Sequence, residues 1–153
     1  MSEPEKNIHA SCVAIGAKGV LLLGSSGAGK SDLALRLIDD GAQLVADDRT
    51  ILFTDKGALW AKPPASIRGL IEIRGVGIVK MPVRARVKIA LVVKLGKEGM
   101  RLPVHRPWKA PLKDTAQVPQ ITLDAHYAST PAKIRAALKA FAQGLFSDTF
   151  ITK

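Results

Sequence analysis

A glycine-rich run at residues 24–31 constrains this chain more than any other feature of its sequence. The run matches the pattern G-x-x-x-x-G-K-[ST], in which backbone N–H groups at a helix N-terminus surround the phosphates of a nucleotide. We expect its glycines to permit close approach, Lys30 to reach the β and γ phosphates, and Ser31 to bind Mg²⁺. An ordinary glycine turn ahead of Lys-Ser is the alternative. The predicted phosphate site comprises Gly24, Ser25, Ser26, Gly27, Ala28, Gly29, Lys30 and Ser31.

The segments on either side of this run favour the phosphate site over the turn. Residues 10–23 are apolar with a break at 16–19, which predicts two short strands joined by a turn. Residues 32–40 place apolar side chains at helical spacing, and Gly41 is positioned to end that helix. Strand, glycine loop and helix therefore follow one another in the order that the motif requires.

The rest of the chain alternates between predicted strands and breaks. We expect one domain over residues 1–153, with no separate N-terminal domain, and a mobile loop at 96–120, where four prolines interrupt a polar stretch. Apolar or alternating patterns predict strands at 43–46, 50–54, 58–61, 70–79, 86–95 and 121–123. One face of the strand 86–95 is expected to carry Val87, Ile89, Leu91 and Val93. A last helix is predicted with Thr130 as its N-cap, Pro131 at its first position and a stripe of Ile134, Leu138, Phe141 and Leu145.

Composition narrows the class of protein. Of the 153 residues, 47% are hydrophobic and 24% are charged, as in globular domains rather than disordered chains. Cys12 is the sole cysteine and is predicted to be a small buried residue, so no intrachain disulfide or multi-cysteine zinc site can form. No apolar run approaches the roughly 20 residues that span a bilayer. We therefore expect no membrane association and a cytoplasmic location.

The charge balance is strongly basic. The chain has 23 Lys and Arg against 13 Asp and Glu, a net charge of +10, which favours phosphate-rich or acidic partners. The basic residues are scattered over several segments rather than lining one helix. Nucleic acid is therefore not expected to be the primary partner.

Two consecutive aspartates follow the strand predicted after the glycine-loop helix. In a parallel α/β sheet, a carboxylate at the end of that strand can reach the phosphate site. If the strand stays regular, Asp47 and Asp48 face opposite sides and so need different tasks. One of them could accept the proton of an attacking hydroxyl while the other holds water or metal. A solvated Asp-Asp turn is the alternative.

A second acidic and basic pair lies on the alternating segment 70–79. Glu72 and Arg74 are two residues apart and so are expected to share a face, opposite an apolar layer. Glu72 could complete a Mg²⁺ shell and Arg74 could neutralise phosphate charge, although a surface salt bridge of little consequence fits the spacing equally well. The three histidines, His9, His105 and His126, are scattered and predict no metal site.

Three blocks of the sequence together resemble the catalytic domain of the bacterial HPr kinase/phosphorylase family. These are the glycine loop GSSGAGKS, the strand end LVADDR at 44–49 and the segment IEIRGVGIV at 71–79, of which the last is the most distinctive. The resemblance extends over residues 9–102. It implies an α/β fold with a P-loop kinase-like sheet and flanking helices, of the HPr kinase/PEP carboxykinase type.

The resemblance also implies an activity and a set of roles. The activity is ATP-dependent, Mg²⁺-dependent phosphorylation of a serine on HPr, a small phosphocarrier protein, by an enzyme that assembles as a homo-oligomer, a hexamer in the family. Asp47 matches the family's proton acceptor, Lys30 its loop lysine, and Ser31 with Glu72 its magnesium ligands, with Asp48 as a further metal candidate. His9 falls at the family's active-site histidine. Arg101 matches the family's catalytic arginine loosely, and Arg74, proposed from its place beside Glu72, is the other candidate catalytic arginine.

Many members of this family also catalyse the reverse reaction, in which phosphate attacks phosphoserine and pyrophosphate is released. The basic stretch tied to that reaction is replaced here around residues 122–126, so phosphorolysis is left open while kinase activity is predicted. Two other functions stay as alternatives: a P-loop kinase for a small metabolite, and a nucleotide-sensing module without turnover. The joint presence of Asp47, Glu72 and Lys30 argues against the inert module, because binding alone needs no base.

Overall fold

Strands dominate the architecture. The computed structural model describes residues 4–147, and within them ten β-strands accompany two α-helices and one 3₁₀ turn at Ala65–Ile67. The strands are β1 (Glu5–Ile15), β2 (Lys18–Leu23), β3 (Gln43–Ala46), β4 (Arg49–Asp55), β5 (Ala58–Lys62), β6 (Leu70–Ile73), β7 (Gly77–Lys80), β8 (Val87–Leu95), β9 (Pro107–Trp108) and β10 (Val118–Leu123). The helices are α1 (Lys30–Asp39) and α2 (Thr130–Gln143).

Five strands of the main sheet pair in a closed ring. β1 pairs with β2 and β4, β4 with β5, β5 with β8, and β8 returns to β2. Tight turns connect two of its antiparallel pairs, one at Gly16 between β1 and β2 and one at 56–57 between β4 and β5, where Lys56 and Gly57 both have positive φ. The ring thus removes the free edges that an open sheet of these strands would leave.

The expectation of a parallel sheet around the aspartates is wrong. β3 pairs antiparallel with β1, and among the named strands of the described chain only the pairs β2–β8 and β8–β10 are parallel. Even so, β2 and β3 both run antiparallel to β1, so they point the same way. Their carboxyl ends, and hence the glycine loop and Asp47, lie at one edge of the sheet.

Two apolar cores occupy the two faces of the sheet. One core joins alternate residues of the central strands to the helices, with Leu33 and Leu37 from α1, Ile134 and Leu138 from α2, and Ile71 from β6. The other core draws on strands and is rich in small side chains, including Cys12, which is buried as predicted. Burial raises the pKa of the Cys12 thiol far above its ordinary value, because the thiolate cannot be solvated there. Cys12 is therefore an inert packing residue.

The predicted single apolar face of β8 is wrong. Gly19 of β2 lies opposite Ile89, but the next residue, Val20, lies opposite Leu91, so Ala90 forms a bulge. Because a bulge inserts one residue, it exchanges the two faces of a strand. Val87 and Ile89 consequently enter the all-strand core, whereas Leu91 and Val93 enter the core beneath the helices.

Several predicted boundaries also move. The segment 70–79 is a hairpin of β6 and β7, paired as a separate two-stranded sheet, rather than one strand. β10 begins at Val118, three residues inside the predicted loop, because it pairs with β9 as well as β8. Ser129, not Thr130, caps α2, and Gly144 with φ 63° ends it, so Leu145 lies beyond the helix and is exposed. The mobility of 96–120 stays a prediction.

The helices are short. α1 ends at Asp39 and is followed by Gly41 with φ 109°, as predicted from the sequence. Neither helix of the described residues is long and apolar enough to cross a membrane.

The contact between β2 and β8 gives a test of this architecture. A Cβ at Gly19 would lie 2.7 Å from Val87 Cγ1 and 2.8 Å from the Lys88 carbonyl oxygen. We expect Gly19→Ala to lower the free energy of unfolding by about 1–3 kcal/mol, because backbone atoms must move apart. Urea denaturation would measure it. Gly96→Ala is the control, since its Cβ meets nothing within 4 Å, and an equal loss in both variants would contradict the close approach.

Candidate functional site

The glycine loop joins β2 to α1 and depends on the conformations that glycine allows. Gly27 and Gly29 have φ of 83° and 99°, values that residues with a Cβ rarely adopt. A Cβ on Gly24 would lie 2.9 Å from that of Ala28, and one on Gly29 would lie 3.0 Å from that of Ala125. Larger residues at these positions would therefore distort the loop.

The N-terminus of α1 opens toward a cavity. Gly29 is the N-cap, and no side chain of the described residues caps the helix there. The first N–H groups of a helix have no partner within it, and the helix dipole adds partial positive charge at that end. Backbone donors are thus available for an anion at this point.

Lys30 is a buried cation beside the loop. Its Nζ donates to the carbonyl oxygens of Gly24, at 2.8 Å, and Ser25, at 3.0 Å, and it belongs to none of the ion pairs found among residues 4–147. Burial lowers its pKa from the ordinary lysine value, and the negative charges of Asp48 and Asp47 partly oppose that shift. An anion in the cavity would supply the missing counter-charge.

Asp47 is buried and contacts the end of the glycine loop through Ser31. Its Oδ1 accepts hydrogen bonds from Ser31 Oγ at 2.6 Å and from Ser11 Oγ at 3.1 Å, and its Oδ2 accepts from the Glu72 backbone N–H at 3.1 Å. Three elements, α1, β1 and β6, therefore converge on one carboxylate. Both of its oxygens have donors before any ligand binds.

Asp48 adopts a different geometry from its neighbour. Its φ is 70°, and the Arg49 N–H donates to the Asp47 carbonyl at 2.8 Å, which closes a three-residue γ-turn centred on Asp48. The regular strand assumed from the sequence is therefore interrupted here. The Asp48 side chain is 65% exposed, and its Oδ1 lies 2.7 Å from His9 Nε2.

One cavity of about 420 Å³ collects most of the predicted site residues. Lys30, Ser31, Asp48, Glu72 and Arg74 line it together with Ser26, Gly27 and Gly29 of the loop. Asp47 adjoins it through its bond to Ser31, and His9 adjoins it through Asp48. Residues far apart in the sequence thus form one polar pocket with both acidic and basic walls.

Glu72 and Arg74 reach this cavity by an unexpected route. β6 ends at Ile73, so Arg74 lies in the hairpin turn, and the shared strand face predicted for the pair does not exist. Ile71, by contrast, is fully buried, as the predicted apolar layer requires. No hydrogen bond holds the Arg74 side chain among the described contacts, so it is free to meet an anion.

Arg101 is not brought to the site. It lines a separate cavity of about 830 Å³ that none of the glycine-loop residues lines. Its neighbours there include Glu98, Lys133 and His105. A role for Arg101 in the glycine-loop cavity therefore has no geometric support.

Two residues of the site, His126 and Ser11, were not predicted from the sequence. His126, one of the scattered histidines, lines the glycine-loop cavity. Arg36 of α1 holds the backbone on either side of His126 by donating to the carbonyl oxygens of Ala125 and Tyr127. Ser11 is fully buried and bonds the carboxylate of Asp47 and the backbone of Asp48. A hydroxyl within an apolar strand was the one available signal for Ser11.

The donor set can be compared with what Mg²⁺ and a nucleotide require. Within residues 4–147, no three His, Cys, Asp or Glu side chains are grouped so that they could hold a metal ion. Mg²⁺ commonly takes only one or two carboxylates and completes its shell with water and substrate phosphates. The oxygens of Ser31 and Glu72 suit that arrangement, and the glycine loop leaves space that Cβ atoms would fill. The residues present therefore fit a magnesium nucleotide.

Fold and cavity together define a class: mixed α/β domains in which a central sheet and few helices surround a glycine-loop cavity. The family description HPr Serine kinase C-terminal domain matches residues 2–106, more than half of the chain. The chain belongs to this family.

Relatives and a solved structure agree with that assignment. The chain is 47% identical over 74 residues to the HPr kinase/phosphorylase of Streptococcus thermophilus and 41% identical over 97 residues to that of Lactobacillus acidophilus. These alignments cover 48% and 58% of this chain, but only 24% and 30% of the relatives. The structure of the HPr(Ser) kinase/phosphatase from Coxiella burnetii superposes with a TM-score of 0.76 and 27% identity, covering 92% of both chains.

The unpaired charge of Lys30 gives a test of the cavity as an anion site. We expect pyrophosphate to raise the melting temperature of the wild-type chain, since a ligand that binds only the folded state stabilises it. Lys30→Met keeps most of the length of the side chain without its charge and should abolish most of that rise. Lys18→Met, on β2 away from the cavity, is the control. An undiminished rise in Lys30→Met would show that the anion binds elsewhere.

Proposed function

We propose that this chain is an ATP-dependent protein serine kinase whose acceptor is HPr. Its family membership supports the reaction class, and the names of its relatives support the acceptor. The observation that carries the proposal is the arrangement of two aspartates with distinct environments beside a glycine loop, with Lys30 and Arg74 on the same cavity. This arrangement is suited to phosphoryl transfer, where the protein chiefly positions groups and stabilises charge.

The loop and the basic residues would bind the phosphates. Backbone N–H groups of 24–29 and the start of α1 would surround the nucleotide, with Lys30 on its outer phosphates. Arg74, which lines the same cavity, would stabilise negative charge on the transferred group. Ser31 and Glu72 would hold Mg²⁺, which when bound supplies positive charge against the phosphates.

The two aspartates would divide the remaining work. Asp47, the base expected from the sequence, has both oxygens occupied by Ser31, Ser11 and the Glu72 amide, and it is buried. Asp48 is exposed, lines the cavity and has His9 at 2.7 Å behind it. We therefore assign proton acceptance to Asp48 rather than metal binding, and assign to Asp47 the orientation of Ser31.

The proposed reaction then follows from these positions. A serine hydroxyl of the acceptor enters the cavity, and Asp48 accepts its hydrogen bond and orients its oxygen toward the terminal phosphorus. As the new O–P bond forms and the bond to the leaving phosphate oxygen breaks, the hydroxyl proton passes to Asp48. His9 holds the Asp48 carboxylate in place. In the reverse direction Asp48 would return that proton to the serine oxygen.

Two features expected from the resemblance remain predictions within this proposal. One is assembly into a homo-oligomer, to which composition adds an expected cytoplasmic location. The other is phosphorolysis, for which residues 122–126 lack the family's basic stretch, although His126 from that segment lines the cavity. Pyrophosphate released from phosphoserine-HPr and phosphate would establish the reverse reaction.

Exchanging each aspartate for asparagine tests the division of roles. We expect Asp48→Asn to lower kcat by about 10²–10⁴-fold, as loss of a general base does, with nucleotide affinity nearly unchanged. Asparagine also tolerates the positive φ at this position. Asp47→Asn should weaken magnesium-nucleotide binding as well as kcat, because Ser31 loses its acceptor. Titration with a fluorescent nucleotide and steady-state kinetics separate the two effects. The reverse pattern would restore Asp47 as the base.

A labelled-nucleotide assay tests the proposed acceptor. With γ-labelled ATP we expect label on HPr, none on HPr that lacks its target serine, and none on a metabolite mixture or DNA. Asp48→Asn should slow the labelling of HPr by the same factor as kcat, because the serine oxygen is no longer aligned and deprotonated. Label on a small metabolite would favour the metabolite kinase instead. Tight ATP binding with transfer to no acceptor would favour the nucleotide-sensing module.

A further inference from the structure

Ser11 lies opposite the break between β3 and β4. β1 pairs with β4 through Glu5 to His9 and with β3 through Cys12 to Ala14. Ala10 and Ser11 are therefore left facing the two aspartates, where the ladder is interrupted. Thr50 partly repairs this interruption by donating its hydroxyl to the Ala10 carbonyl at 2.8 Å.

The Ser11 hydroxyl contacts both aspartates at once. It donates to Asp47 Oδ1 at 3.1 Å and accepts from the Asp48 backbone N–H at 3.0 Å. The residue is fully buried, so water cannot replace either bond. A hydroxyl can serve as donor and acceptor together, which neither alanine nor valine can do.

The hydrogen bond that Ser11 Oγ accepts from the Asp48 N–H stabilises the strained turn at Asp48. A positive φ at Asp48 is a conformation of raised energy for a residue with a Cβ, and it persists only where neighbouring contacts enforce it. The Ser11 oxygen fixes the amide at the start of that residue, and the turn directs the Asp48 side chain to the cavity and His9.

We propose that Ser11 is a positioning residue for phosphoryl transfer, whose hydroxyl fixes the Asp47 carboxylate and the Asp48 turn relative to each other. The part that concerns transfer rests on the proposed function. The part that concerns geometry does not, because it describes the free protein. Ser11 does not line the cavity and would not touch the substrate.

Two substitutions of equal shape test the proposal. Ser11→Thr keeps the hydroxyl and Ser11→Val replaces it by a methyl group. In Ser11→Val we expect kcat to fall by about 10-fold or more, as misplacement of catalytic groups does, with the nucleotide KM within about twofold of wild type. Ser11→Thr should keep kcat within about threefold of wild type. Ser11→Ala, which adds no volume, replaces Ser11→Val if the larger residue prevents folding.

The Asp48 amide gives a readout that needs no activity. In Ser11→Val we expect its hydrogen exchange, followed by NMR, to be about tenfold faster or more than in wild type, because the amide loses its acceptor. Ser11→Thr should protect this amide as wild type does. Thr50→Val is the control: it also removes a buried hydroxyl beside the break, but one that touches neither aspartate. It should lower the melting temperature and leave both kcat and Asp48 exchange unchanged.

The outcomes separate this proposal from the proposed function. Unchanged Asp48 exchange in Ser11→Val, or an equal loss of kcat in Thr50→Val, would overturn a positioning role for Ser11. If no variant and no wild-type protein transfers phosphate, the kinase proposal fails. In that case the Asp48 exchange rates still decide whether Ser11 holds the turn.

Discussion

The hydrogen bond of 2.6 Å between Ser31 and Asp47 joins the two halves of the site. Ser31 belongs to the first turn of α1, at the end of the glycine loop, whereas Asp47 directly follows β3 of the sheet. Asp47 is held in turn by β1 through Ser11 and by β6 through the Glu72 amide. One buried carboxylate thus sets the distance between the predicted phosphate site and two strands, β1 and β6, of which β6 carries Glu72. A hydrogen bond to a charged, buried acceptor is strong enough to hold such a junction.

The acidic and basic side chains around this junction differ in how fully their charges are satisfied by hydrogen-bond partners. Asp47 has three donors, while Lys30 has only two backbone carbonyls and a pKa lowered by burial. Arg74 has no partner among the described contacts. The free chain therefore satisfies its buried acid and leaves its cations in need of negative charge. A polyphosphate is a ligand that meets that need, and the net charge of +10 would attract it, or an acidic protein, from a distance.

Sequence reasoning succeeded where one local pattern determines the structure. The strand, glycine loop and α1 follow from short-range spacing, and so does the turn between β1 and β2. It failed where the outcome depends on strand pairing. The bulge at Ala90 and the antiparallel placement of β3 are decided by partners far away in the chain. The hairpin within 70–79 is local, but the apolar and charged alternation of 70–74 predicted one strand and hid the turn at Gly75. The site was also predicted in part. The predicted residues that line one cavity are Lys30, Ser31, Asp48, Glu72 and Arg74, whereas Arg101 lines another cavity. Ser11 and His126 were not predicted.

The break between β3 and β4 explains why the adjacent residues Asp47 and Asp48 differ so much in burial and in hydrogen-bond partners. In a regular strand they would face opposite sides, and only one of them could serve the cavity. The γ-turn instead lets Asp47 stay buried under the glycine loop while Asp48 turns outward to His9 and the cavity. The sign of a single φ angle produces this difference, and no sequence pattern encodes it. It depends on β1, which pairs with β3 on one side of the break and with β4 on the other, and so holds both ends of the interruption in place.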